Sequence, residues 1–471
     1  MSKLTGAKLK PALIVLALGL ALWFMPVPTG LTSQVWHLFV IFLSLIVAII
    51  LKPLPMGALA IISLAMVTIT NTLTIKQALS GYSSHIIWLV FIAFLLARGF
   101  IKTGLGARIA YCFVLVMGRS TLGLAYGLVS AELLFAPFIP SNTARGAGII
   151  YPIVSALASE YDSAPSAGTE RKIGSYLIVL CYQANIIVSA MFLTAMAGNP
   201  LIASLAMKLG VEMTWLFWAK AMIVPGLVNI AVLPLIVYWL YPPELKSTPE
   251  APALAKKKLQ GMGSLSHSEF IMLLTFGLLL ILWVFGKPYG ISSTTAALVG
   301  LSILLITGVL TWEDILKEHN ALNTFIWLAT ILTLSSFLTE FGMIEWFGMH
   351  VKTMVVSYEW PIALGMVALV YFYSHYLFGS LTAHISSMYS VLVVVAIAAG
   401  APVAATVILF AAFSSLCAGL THYATGTAPV YFGTNFVSVK DWWRVGGIVS
   451  LINIAIWIVV GFWWWGVIGL W

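Results

Sequence analysis

Apolar residues run along this chain in blocks far longer than a globular core needs, interrupted at a few short polar points. Asp, Glu, Lys and Arg are absent from 11 to 51, 53 to 75, 173 to 207, 221 to 243, 288 to 312 and 445 to 471. In the longest block, 360 to 439, histidine is the only ionisable group apart from Tyr and Cys. A helix crosses the hydrocarbon in about 20 apolar residues, so the longest blocks must hold several spans or re-entrant pieces. Spanning strands would run about 10 residues in strict alternation, a pattern missing here. The prediction is an all-α polytopic membrane protein.

Block length and breaker residues place helices near 11–26, 34–51, 57–72 and 84–101, a re-entrant hairpin at about 120–158, and helices near 173–207 and 214–240. The polar stretch 241–268 carries Pro242, Pro243, Pro249, Pro252 and the run Lys256-Lys257-Lys258. Such a Pro-rich, charged segment reads as an aqueous, cytoplasmic linker. Helices near 269–286, 291–310 and 322–339 follow, then a second hairpin at about 360–399 and helices near 401–435 and 445–469. That makes eleven spans and two hairpins.

The two halves repeat each other. Trp88 and Trp327 stand 239 positions apart in matching Ile-Trp-Leu triplets, and Ser141 and Ser380 share that offset. The first repeat covers 34–240 after a segment 1–33 holding the first helix; the second covers 269–471. Five spans plus a hairpin form an odd unit, so the second copy inserts upside down. This is the inverted-repeat plan of secondary transporters, with the substrate site where the repeats meet.

The polar interruptions carry the candidate chemistry. Pro140-Ser141-Asn142-Thr143-Ala144-Arg145 and Gly379-Ser380-Leu381-Thr382-Ala383-His384 each put a basic residue four places after the serine. Either tip reads as a helix cap within a turn, or as a helix N-terminus whose free N–H groups and hydroxyls receive an anion. Ala197-Gly198-Asn199-Pro200 and Thr425-Gly426-Thr427-Ala428-Pro429 break two long helices, as packed kinks or as the unwound helices of a transport site. Candidate ligand contacts are Ser141, Asn142, Thr143, Gly198, Asn199, Pro200, Ser380, Leu381, Thr382, Thr427, Ala428 and Pro429. Arg145 and His384 are candidate charge-compensating groups, since intramembrane ionisable residues default to function; the alternative is structural pairing within the hairpin. Glu132, Gln183, Asn185, His375 and His422 read as interhelical hydrogen-bonding groups.

Composition agrees: 61% hydrophobic and 8% charged, against roughly 45–50% and about 25% in globular proteins. The net charge of +8 reflects topology rather than a nucleic-acid partner. Predicted inner segments collect Lys3, Lys8, Lys10, Lys52, Lys102, Arg108, Arg119, Arg171, Lys172, Lys246, Lys256, Lys257, Lys258, Lys317, Lys440 and Arg444; outer ones hold Lys76, Lys208, Lys287 and Lys352. The N-terminus is therefore expected in the cytoplasm and the C-terminus outside. Cys112, Cys181 and Cys417 stand singly and read as core filler without metal or redox spacing. No cofactor motif and no Walker loop appears. Ser380 and His384 lie one turn apart, but no oxyanion motif or paired carboxylate accompanies them, which speaks against a hydrolase. A channel would need a continuous polar path.

The motifs PFIPSNTARGAG (137–148), HYLFGSLTAHISSM (375–388), YATGTAPVYFG (423–433) and KDWWR (440–444) resemble those of the divalent-anion/sodium symporter (DASS) family, within it the bacterial citrate/succinate and 2-oxoglutarate/malate translocators. The resemblance implies a homodimer of eleven-span protomers. Each has a scaffold domain and an elevator-type transport domain built from both hairpins and the fifth, sixth, tenth and eleventh helices. It also implies that Ser141, Asn142, Thr143, Ser380 and Thr382 grip the carboxylates of a di- or tricarboxylate. Leu381 stands where the sodium-coupled branch has asparagine, which with the two basic residues points to exchange without sodium.

Overall fold

The computed structural model describes residues 6–343, 345–347, 349–350 and 359–471; Lys3 and Lys352 of the charge pattern lie outside them. Among the described residues there is no strand, only an isolated bridge between Ser120 and Ser247. Nine helices there are long and apolar enough to cross a membrane. Leu9–Trp23, Met56–Ile69 and Ser293–Ile306 fall on expected spans but are shorter.

Two compact units form, each from three separate stretches of chain. One comprises Met1–Phe91, Pro200–Met213 and His319–Phe410. Within it, His319–Glu340 packs against Ser33–Leu51 and Met56–Ile69. Gly81 lies so close to this helix that a Cβ there would stand 2.4 Å from the Ala329 carbonyl oxygen, and its N–H donates to Thr333 Oγ1. Leu9–Trp23 buries none of its residues, as expected of a helix whose apolar side chains face lipid.

The other unit comprises Ile92–Asn199, Thr214–Glu318 and Ala411–Trp471. Its centre is Gly174–Met191, buried along its whole length and packed by Thr121–Phe135 and Trp215–Leu240. Polar residues on this central helix find backbone partners on other segments: Tyr182 donates to the Ala418 carbonyl and Gln183 to that of Gly419. Cys181 and Cys417 are buried, whereas Cys112, expected in the core, is exposed.

Two helices of this unit were not expected from hydropathy. Leu105–Met117 is apolar but short and interrupted by Arg108, which hides it from an apolar-length criterion. The stretch 241–268 holds Glu250–Gly261, whose Pro252 sits in the first turn, where proline is tolerated. It buries Ala251 and Ala255 and packs on Leu105–Met117. Arg108 secures the connection by donating to the carbonyls of Met262, Gly263 and Ser264 and to Glu269.

The duplication is visible in local geometry. Thr70 N to Met66 O, Asn71 N to Thr68 O and Leu73 N to Val67 O recur 237 positions on as Thr307 N to Ile303 O, Gly308 N to Leu305 O and Leu310 N to Leu304 O. Asn71 and Gly308 take the left-handed conformation that this helix stop requires. The same offset relates the capping boxes Thr74/Gln77 and Thr311/Asp314.

Candidate functional site

The first hairpin rises through Thr121–Phe135 and returns through Asn142–Arg145, a π-helical turn Gly146–Ile150 and Tyr151–Glu160. Ser141 caps the return, its Oγ accepting from Ala144 N at 3.1 Å. Asn142 Oδ1 accepts from Thr143 N at 2.9 Å. Facing this tip is the break at 425–427, where Thr425 Oγ1 accepts from the backbone N–H groups of Thr427 and Ala428, both at 3.2 Å.

The Thr143 and Thr427 hydroxyls meet at 3.4 Å. Between two hydroxyls only one hydrogen is used, so the pair keeps a donor for a third oxygen. Gly426 permits the approach, since a Cβ there would stand 2.7 Å from Thr143 Oγ1. Tyr431 holds the break against the hairpin by donating to the Gly146 carbonyl at 2.9 Å. The tip thus presents half-exposed Ser141, Asn142 and Thr143 beside exposed Gly426 and Pro429, with Thr427 and Ala428 buried behind.

At the other break, Gly198, Asn199 and Pro200 are buried. Asn199 Nδ2 donates to the Ser189 and Phe192 carbonyls, both at 2.8 Å. These are carbonyls that the end of Gly174–Met191 leaves free. That work holds the break open and uses the amide hydrogens inward rather than toward the tip.

Arg145, expected as a charge-compensating group or as a structural partner within the hairpin, has a set of partners of its own. It is fully buried and forms an ion pair with Glu132, Nε to Oε1 at 2.9 Å. Its remaining donors go to the carbonyls of Ile139 and Ala195 and to Ser189 Oγ. A buried guanidinium needs this many partners. Asn185 Nδ2 joins the cluster by donating to Glu132 Oε1 at 2.6 Å and to the Asn142 carbonyl at 3.0 Å. Glu132 and Asn185, read from sequence only as interhelical partners, therefore stand directly behind the tip. The signal was available: Glu132 is the first acidic residue of the chain and precedes Arg145 on the same hairpin.

The second hairpin, in the other unit, repeats the geometry. Trp360–Ser374 rises; Leu381–His384, a π-helical turn Ile385–Tyr389 and Ser390–Ala398 return. Ser380 caps it through Ala383 N at 3.4 Å, with Thr382 half-exposed and Leu381 buried. His384 is buried, its Nε2 lying 3.0 Å from the Tyr371 carbonyl and 2.9 Å from Ser374 Oγ. Because a carbonyl only accepts, Nε2 carries the hydrogen. The Tyr371 ring stacks on the imidazole at 4.4 Å.

Two hairpins with serine-capped tips among long apolar helices, the first facing a broken helix, define a polytopic helical membrane transport protein. The chain belongs to the divalent-anion/sodium symporter family: the profile described as "Sodium:sulfate symporter transmembrane region" matches residues 7–471. It is 50% identical over 470 residues to the putative malate transporter YflS of Bacillus subtilis (strain 168), covering 100% of this chain and 98% of the relative. Dicarboxylate transporter 1, chloroplastic, of Spinacia oleracea is 47% identical over 469 residues, covering 99% and 82%. The L-tartrate/succinate antiporter of Escherichia coli O6:K15:H31 (strain 536 / UPEC) is 36% identical over 462 residues, covering 93% and 94%. Among solved structures, the Neisseria gonorrhoeae MtrF efflux pump superposes with a TM-score of 0.58 at 12% identity, covering 95% of this chain and 96% of that one. At that identity the likeness concerns the fold. The family is one of transporters, not enzymes.

Proposed function

We propose that this protein is a secondary transporter that exchanges di- and tricarboxylates of the succinate, malate, 2-oxoglutarate and citrate class across the cell membrane, without sodium coupling. It works as a homodimer by elevator-type alternating access, with the N-terminus cytoplasmic and the C-terminus outside. The observation that carries this reading is the Thr143–Thr427 hydroxyl pair, 3.4 Å apart beside the Ser141 cap. Such a pair, at a helix start with a positive end, suits one carboxylate. Ser380 and Thr382 offer carboxylate-binding hydroxyls at the duplicated tip, with Leu381 as an apolar wall.

The names of the relatives agree: two are dicarboxylate or malate transporters and one is an antiporter. Arg145 and His384 stand at equivalent places behind the two tips, and Leu381 stands in the second tip where the sodium-coupled branch has asparagine, which favours exchange without sodium. Gly198, Asn199, Pro200, Ala428 and Pro429 shape the breaks that admit the substrate. The family description names sodium, which favours sodium-coupled symport as the second reading.

Proteoliposomes separate the two. Vesicles preloaded with unlabelled succinate should take up labelled succinate in sodium-free buffer, while empty vesicles take up little. Strong uptake into empty vesicles driven by a sodium gradient would replace exchange by symport.

A further inference from the structure

The motif KDWWR (440–444) opens the last long helix. Val439–Val467 is 29 residues long, and Lys440, Asp441 and Arg444 are its only charged residues. The charge-free remainder suffices to cross about 30 Å of hydrocarbon, so the first turns stand at the level of the lipid headgroups, where tryptophan also collects. Beside them lies a cavity of about 630 Å³ whose wall includes Glu170, Arg171, Tyr241, Phe432, Asp441 and Arg444.

The charged groups of this wall are held in place. Arg171 lies over the Tyr241 ring at 3.8 Å and donates to the Pro242 carbonyl at 2.8 Å. Arg444 pairs with Asp441, Nη2 to Oδ1 at 3.2 Å, and Asp441 Oδ2 accepts from Ser438 Oγ at 2.9 Å. A guanidinium has more N–H donors, and a carboxylate more acceptor sites, than these contacts use. Two bases and two acids line the cavity, so an anion alone would meet as many like charges as opposite ones. A zwitterion, with a phosphate at one end and an ammonium at the other, meets a partner for each. Arg444 is exposed, and so are Leu451, Ala455 and Val459 farther along the helix. Leu451 stands two turns on from Arg444 and shares its face, so a molecule anchored at Arg444 finds an apolar path for a chain.

We propose that this cavity binds the headgroup of a phospholipid bearing a primary ammonium, of the phosphatidylethanolamine kind. Its phosphate lies between Arg171 and Arg444, its ammonium donates to Glu170 and Asp441, and its acyl chains run along the face that Leu451 begins. The occupant reaches the transport site through Phe432, which lines the cavity and ends the short helix Ala428–Phe432 capped by Thr427.

The test reads lipid retention rather than transport. The full-length protein, stripped of lipid in detergent, is offered phosphatidylethanolamine and phosphatidylcholine with the same chains, and bound lipid is counted by native mass spectrometry. The two differ only in the methyl groups that remove the ammonium N–H donors. The wild type should retain phosphatidylethanolamine about tenfold better, the worth of a hydrogen bond to a charged group. Glu170→Gln should cut that preference, while Arg444→Gln should weaken retention of both lipids, since the phosphate is common to them. Equal retention of the two by the wild type overturns the proposal, as does retention that either variant leaves unchanged. Glycerophosphoethanolamine, the same headgroup without chains, is the competitor: if it displaces the lipid at equal concentration, the occupant is a soluble phosphoester and the lipid assignment fails. Should a variant fail to fold, the wild-type comparison of the two lipids still decides. Absence of succinate exchange would sink the carrier reading and leave these counts as they are.

Discussion

The two hairpin tips share a turn and differ in what stands behind it. Both use a serine cap, four helical residues and a π-helical turn before the returning arm. Their basic residues, Arg145 and His384, are 239 positions apart, and so are the residues that meet them from the rising arms, Glu132 and Tyr371. In the first tip the meeting is a buried ion pair. In the second it is an aromatic ring stacked on an imidazole whose Nε2 faces a carbonyl. The backbone turn recurs at both tips, while the residues paired across the arms give a charged contact in one and a neutral contact in the other. The lesson is that equivalent positions in a repeat do not imply equivalent electrostatics.

Removing one member of the ion pair separates the two tips most. Glu132→Ala should destabilise the protein by about 3–5 kcal/mol, because Arg145 is left buried and unpaired. The double variant Glu132→Leu, Arg145→Met should recover most of that loss, measured by thermal unfolding in detergent; equal instability of both would mean that the charge pairing is not what matters. Next in size is Gly426→Ala. Crowding against Thr143 Oγ1 costs about 1–3 kcal/mol, read as a roughly tenfold loss of succinate exchange with the ion pair intact.

His384→Ala should cost less than Glu132→Ala, about 1–2 kcal/mol, since the hydrogen bonds named for it are to neutral groups. A loss as large as that of Glu132→Ala would show that His384 carries charge after all. Smallest is Asp314→Asn. Hydrogen bonding to Lys102 at 2.6 Å, then to the Thr311 backbone, holds the Asp314 carboxyl well below its usual range. A depressed carboxylate adds stability above its unfolded range and loses it as pH falls. For this partly exposed pair the effect stays below about 1 kcal/mol and shrinks with salt. It should appear as a slightly lower melting temperature at neutral pH, vanishing in acid.

How much of this was legible beforehand depends on the range of the interaction. Long apolar blocks announce spans, since the hydrocarbon thickness sets their length, and Gly, Pro and Ser announce breaks and caps through their own backbone preferences. Hence most of the long apolar helices and the serine caps at Ser141 and Ser380 are readable from local sequence. Leu105–Met117 escaped because Arg108 interrupts its apolar run, and Glu250–Gly261 because its prolines and lysines read as linker until Ala251 and Ala255 found a surface to bury against.

The sequence alone determined the membrane class, the duplicated layout and the capped turns, because each is written in neighbours a few residues apart. Only the tertiary structure decided that Asn199 clamps its own helix end, that Gly426 lets two threonines meet, and that Glu132 pairs with Arg145. Each of these depends on which groups become neighbours once water is excluded. A buried polar group takes the nearest partner that folding provides, wherever that partner lies along the chain.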